Sequence, residues 1–237
     1  MNSFRIAAFC VLTAILGSAY AATVSVYPGS SIQAAIHTAK AEDIIEVHSG
    51  VYYEHVNVNK RITLRGIGKP ILDATACGSA FTLKADGIVL QGFRTINSGQ
   101  WPGDGSKEAG IKVFSNNNTI ENNNLSNNSN GIFIIGGENN TITGNAASNN
   151  LGFGIMLSNS FGNAIFKNNF IRNYKQNAWD NGINRGDVGN VGNYYGNFSS
   201  LAEGCQDLDK NDVCDFGYPV PGGSSVDHYP SLQPFSA

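Results

Sequence analysis

Two markers recur together along the middle of the chain, 21 to 23 residues apart. One is an isoleucine followed at fixed offsets by an asparagine and an apolar residue. Ile120 precedes Asn123 and Leu125, Ile142 precedes Asn145 and Ala147, and Ile165 precedes Asn168 and Phe170. The other is a glycine that opens an apolar segment: "GIKVF" from Gly110, "GIFII" from Gly131, "GIMLS" from Gly154. Disordered polar tracts keep no such register, so the asparagine-rich stretch is a structural repeat. Within each segment apolar residues alternate, as in Ile111 and Val113, Ile132 and Ile134, Ile155 and Leu157. A period of two marks strands with one buried face. Strands this short bury that face only by stacking on copies of themselves, about 4.8 Å apart.

The expected fold is therefore all-β: a parallel β-helix, a solenoid of about 22 residues per coil. Its corners require left-handed backbone, which glycine and asparagine adopt most readily. Asparagines at equivalent corners can also hydrogen-bond to their copies in the next coil, and Asn123, Asn145 and Asn168 are the expected ladder. Upstream, "DIIEVHSG", "HVNVNKRITLRG" and "GIVLQGF" read as less regular strands. Before them, "SIQAAIHTA" has helical spacing, with Ser30 or Ser31 as N-cap and Ile32 and Ile36 on one face. A short helix near residues 30–39 would cover the open first coil, whose strand edges would otherwise aggregate.

The ends of the chain bear on compartment and bracing. Arg5, the apolar run Ile6 to Leu16 and "GSAYAA" read as a secretory signal peptide cleaved after Ala21, with Ala19 and Ala21 as the small residues. The apolar run is too short to span a bilayer, and no later stretch is long enough. The expected location is extracellular, in the medium or on the cell surface. A formal net charge of −3 without basic runs lacks the footprint of a nucleic-acid binder. Of the cysteines beyond the leader, Cys205 and Cys214 are close enough to form a disulfide in an oxidising compartment. That leaves Cys77, read as a small buried hydrophobe. The expected organisation is residues 1–21 as leader, 22–182 as β-helix and 183–237 as an irregular C-terminal cap.

"SIQAAIHTAKAEDIIEVHSGVYYEHVNVNKRITLRGIGKPILDA" resembles the opening of secreted β-helices of the carbohydrate-binding and sugar-hydrolase type. Downstream, "GNYYGNF", "DLDKNDVCD", "YPV" and "GGSSVDHYP" resemble, in that order, the C-terminal signature of NosD-like β-helix proteins of archaeal cell surfaces. The resemblance implies a right-handed β-helix and glycan contact, but no single activity, because sites are grafted on folds.

"CQDLDKNDVCD" places side-chain oxygens of Asp207, Asp209, Asn211 and Asp215 at near-alternate positions, as a structural Ca2+ loop requires. It resembles thrombospondin- and dockerin-type calcium repeats, except that Asp212 stands where those have glycine. The other reading is a solvated acidic turn closed by the disulfide. Two segments, "NSGQWPGDGSKEAG" and "NAWDNGINRGD", read as insertions that form a cleft, with Trp101, Asp104, Glu108, Trp179 and Asp180 as candidate glycan contacts. Each tryptophan has a core-plugging alternative. Catalytic residues are not assigned: Glu121 and Glu138 fall at different repeat positions, so stacking does not pair them as a glycosidase requires. Imidazole ligands for copper chemistry are sparse, with His37, His48, His55 and His228 the only histidines.

The expected function is a non-catalytic module for scaffolding or recognition of a polysaccharide or cell-surface glycan. The alternatives are a polysaccharide lyase or glycoside hydrolase, a NosD-like copper-enzyme maturation factor, and a fibre subunit self-associating through the solenoid ends.

Overall fold

The computed structural model describes residues 21–99 and 108–236. Within them the chain winds repeatedly through three parallel sheets, visiting each in turn. Sheet 1 has ten strands, from Thr23–Val26 through Ile44–His48 and Thr119–Glu121 to Tyr218–Pro219. Sheet 2 has seven, from Val51–Tyr53 to Tyr194–Tyr195, and sheet 3 has six, from Val56–Val58 to Gln176–Asp180. All pairings between coils are parallel, which the chain achieves without crossover helices because each turn of the solenoid returns it to the start.

Register follows the repeat. In sheet 1, Ile45, Leu64, Leu90, Ile120, Ile142 and Ile165 stack in one inward column. In sheet 3 the pairs Ile111/Val113, Ile132/Ile134 and Ile155/Leu157 stack likewise. These side chains are almost fully buried. Burying each is worth roughly 1.5–3 kcal/mol, and a one-residue slip would turn the whole column to solvent. The solenoid is as expected from the repeat, and so is its coil length of 22 or 23 residues between Ile120 and Ile165.

The corners separate two roles that the sequence reading had merged. Asn122, Asn127, Asn139 and Asn149 have positive φ, and each is followed by an asparagine that is buried. The first residue turns the chain; the second points inward and forms the ladder. Asn123 donates from its main-chain N and Nδ2 to Asn145 Oδ1, both at 3.0 Å, and Asn145 does the same to Asn168 at 2.9 and 3.0 Å. Asn193 continues the ladder, and the carboxylate of Asp227 ends it at 2.7 and 3.1 Å. Parallel ladders run through Asn118, Asn140, Asn163 and Asn184, and through Asn128, Asn150 and Asn173. Where the turning residue is not asparagine, Gly144, Gly162, Lys167 and Arg172 take the same left-handed angles.

A helix, α1 (Ile32–Thr38), covers the first coil with Ile32 and Ile36 fully buried. Ser31 is its N-cap and accepts from the Ala34 amide at 3.1 Å. Glu54 of the next turn takes the amides of Ile32 and Gln33, and Lys60 Nζ reaches the carbonyls of Ile36, His37 and Ala39 at 2.7–2.9 Å. An anion at the N-terminus and a cation at the C-terminus suit the helix dipole.

At the other end Tyr218–Pro219 runs antiparallel to Val226–Asp227 and so ends the parallel stack. Tyr195, Tyr218 and Phe198 close the core, with ring centroids 4.0 and 5.2 Å apart. The Cys205–Cys214 disulfide is formed and buried beside them. Two expectations need correction. Cys77 is exposed, because it follows two positive-φ residues, Thr75 and Ala76, in a surface turn. The strands also continue past residue 182, since Ile183–Arg185 and Tyr194–Tyr195 still belong to sheets 1 and 2.

Candidate functional site

"NAWD" is not part of an insertion. Gln176–Asp180 is the sixth strand of sheet 3, with Met156 opposite Trp179 and Leu157 opposite Asp180. Alternation then sends the two candidates to opposite faces. Asp180 points into the solenoid at a position held by Leu157, Ile134 and Val113 in the preceding coils, and it is 2% exposed. Its carboxylate accepts from Asn184 Nδ2 (2.9 Å to each oxygen), the Gly182 amide (2.7 Å) and the Ser225 hydroxyl (2.6 Å). Asp180 therefore organises the end of the core and is not a surface contact. Beside it a cavity of about 20 Å³, lined by Leu157, Ala178 and Tyr195, has room for about one water.

Trp179 points outward. Along that face Lys112, Phe133, Met156 and Trp179 stand one coil apart in a single register, with Met156 and Trp179 half-buried and Phe133 covered at 3% exposure. One step along the strands, Phe114 is 46% exposed and Ile135 half-buried. The Phe153 ring lies 6.3 Å from Trp179, and Lys175 Nζ lies 5.8 Å from the Phe153 centroid. Lys112 Nζ sits 5.4 Å from the Phe114 centroid and 3.2 Å from Glu108 Oε1. The result is an aromatic and aliphatic platform with lysines over two of its rings, at distances where cation–π attraction operates. Gly222 closes one side of it: with φ at +112°, a Cβ there would come within 2.7 Å of the Trp179 indole.

Glu108 is held by the Ser79 hydroxyl at 2.5 Å and by Lys112. Trp101 and Asp104 lie outside the described residues. Of the sequence candidates, Glu108 and Trp179 thus border the same sheet, through Lys112 and Met156. Sequence reasoning passed over Phe114, Phe133, Phe153 and Met156. The alternation that marked their neighbours as core marks Phe114, Phe133 and Met156 as outward, and an aromatic residue at an outward position was the available signal. Phe153 shares the parity of Ile155 and Leu157 and gave no such signal.

Asp207, Asp209, Asn211 and Asp215 share one exposed turn closed by the disulfide. Asp207 accepts from the amides of Asn211 and Asp212, both at 3.1 Å; Asp215 accepts from Leu208 N at 2.8 Å; Asn211 Nδ2 donates to Asp209 at 2.9 Å. Lys210 and Asp212 have positive φ, so Asp212 does take the backbone role of the missing glycine. Among the described residues no three acidic, histidine or cysteine side chains converge as metal ligands. Asp207 still keeps acceptor capacity, since a carboxylate has about four lone-pair sites. His228 pairs with Asp187 at 2.9 Å, His55 with the Ser79 carbonyl, and His48 stacks on Tyr27.

Other acidic side chains on the outer faces are paired too. Glu46 bonds Arg65 at 3.2 Å, and Asp73 takes Asn97 Nδ2. No helix among the described residues is long and apolar enough to cross a membrane. Compared with known families, residues 73–197 match the model of the right-handed beta helix region. No curated protein and no solved structure matches the chain.

Proposed function

We propose that this chain, which belongs to the right-handed β-helix family, is an exported module that recognises a glycan without cleaving it. The observation that carries the reading is the outward face of sheet 3, where Met156 and Trp179 stand one coil apart, half-buried, with Phe114 exposed on the same face. A face of this kind offers apolar surface to sugar rings of an extended polysaccharide, while the exposed Lys175 beside Phe153 offers charge to hydroxyl or carboxylate groups. Binding without cleavage is favoured by the pairing of Glu46, Asp73, Glu108 and Asp187, whose carboxylates are committed to neighbouring groups.

The test is retention of the exported protein on a panel of acidic and neutral polysaccharides, with mass spectrometry of any released sugars. Retention on at least one without new oligosaccharides, weakened about tenfold or more by Trp179→Ala, supports the reading. Sugar release or a Trp179→Ala variant retained like the parent would overturn it.

A structural calcium ion at Asp207, Asp209, Asn211 and Asp215 belongs to the same proposal. Its support is the near-alternate oxygen spacing and the left-handed angles at Lys210 and Asp212. Calorimetric titration with calcium should give heat that Asp207→Asn abolishes; silence in the parent chain removes the ion from the proposal.

A further inference from the structure

The first described coil contains a carboxylate whose partner is a main-chain nitrogen rather than a side chain. Asp43 is 7% exposed. Its Oδ1 lies 2.8 Å from Ala22 N, and its Oδ2 accepts from the Lys40 amide at 2.7 Å. Ala22 is held from the other side as well, since its carbonyl accepts from Ile44 N at 2.8 Å. The residue itself is exposed. The amides of Lys40 and Ala22, with help from the charges of Lys40 and Lys60, hold the Asp43 carboxyl below its ordinary range and so keep it ionised.

Ala22 is also the residue that the leader reading places first after cleavage. We infer that Asp43 is a receiving site for the new amino terminus, so that hydrolysis of the Ala21–Ala22 bond completes the first coil. In that hydrolysis water adds at the Ala21 carbonyl carbon and the C–N bond breaks. Ala21 leaves as a carboxylate carrying the water oxygen, and Ala22 N takes both protons of the water to become an ammonium. Before cleavage Ala22 N is a neutral amide with one hydrogen to give. Afterwards the same 2.8 Å contact joins a cation to an anion, and charge-assisted bonds are roughly twice as strong as neutral ones.

The site is selective by position. Cleavage one residue earlier leaves Ala22 N an amide, and one residue later removes it. The cleavage point and the first strand are thereby matched, and an exported chain gains a charge pair where its precursor has a neutral hydrogen bond. The inference rests on the export reading of residues 1–21 and is independent of the glycan reading.

The experiment begins with N-terminal sequencing of the exported protein, where a start at Ala22 is expected. Protein released from a fusion with Ala22 as its first residue is then compared with the same chain extended by Ala21 and with its Nα-acetylated form. Extension or acetylation should lower the melting temperature by about 2–4 °C, and should leave that of Asp43→Asn unchanged. Equal shifts in both backgrounds, or a start elsewhere than Ala22, would overturn the inference. Should Asp43→Asn fail to fold, NMR titration of the Ala22 α-amine decides. A pKa raised above the ordinary range of about 7.7–8.0 supports it, and a value within that range rejects it.

Discussion

At corner after corner of the solenoid, two residues divide the work of turning the chain. Asn122 has φ of +56° and is exposed, while Asn123 is buried with its amide committed to the ladder. In the next coil Gly144 and Asn145 fill the same places, and then Lys167 and Asn168. The turning place accepts asparagine, glycine, lysine or arginine; the ladder place is asparagine wherever the bond is relayed onward, because only a short side chain with both acceptor and donors does this. Ile88, Phe93 and Ser98 start the ladders through their amides alone. Substitutions should follow this division. Asn145→Ala strands the main-chain and side-chain donors of Asn123 and the Ile120 carbonyl, and should cost about 3 kcal/mol in denaturant unfolding. Asn122→Gly should stay within about 0.5 kcal/mol, because it keeps the angle and breaks no side-chain bond. The ladder through Asn123, Asn145 and Asn168 was legible from its offsets to isoleucine. The other two ladders were legible in the same way but hidden by the adjacent turning asparagines, which made runs of one residue type.

Single strands were legible where their composition kept to the repeat and missed where one residue changed role. Gln176–Asp180 lost the opening glycine and put aspartate at an inward place, so the pattern read as an insertion. Only the tertiary partners Asn184 and Ser225 make that aspartate tolerable in the core. Val226–Asp227 repeats the device at the end of the central ladder. Burial pushes the Asp227 carboxyl from 3.8 up to about 7, against the lowering effect of the amides of Asn193 and Tyr229, and the Asp187 charge adds a small rise. In the folded chain it holds its proton to about pH 7, whereas the unfolded chain releases it near pH 4. Between those values the native state binds more protons, so its stability must fall as pH rises, and level off above 7. Denaturation midpoints measured from pH 4 to 8 should show this slope, and Asp227→Asn should flatten it. The pairing of Cys205 with Cys214 needed only their closeness in sequence, but the exposure of Cys77 did not follow from its residue type, since it depends on the turn at Thr75 and Ala76.

For the molecule as a whole, the repeat that makes the fold also makes its hazard, because a stack of identical turns can continue into another molecule. At the first coil the strands Thr23–Val26, Val51–Tyr53 and Val56–Val58 each have a partner on one side only. Helix α1 lies over this end through Ile32 and Ile36, tied down by Glu54 and Lys60 from the connections on either side of Val56–Val58. At the last coil the chain reverses into an antiparallel pair, which offers no parallel template. A protein closed at both ends should sediment as one species. The double change Ile32→Asp and Ile36→Asp puts two unpaired charges against the core and should lift α1 from the first coil. The uncovered edges would then pair with other chains, and analytical ultracentrifugation should resolve a series of larger species that grows with concentration. If the double variant sediments like the parent while circular dichroism shows α1 lost, the strand edges alone resist pairing and α1 serves stability rather than closure. Loss of the entire β signal would instead make α1 part of the minimal fold. Each result assigns α1 a different task, and only the first leaves the ends of the solenoid as a surface that the protein must guard.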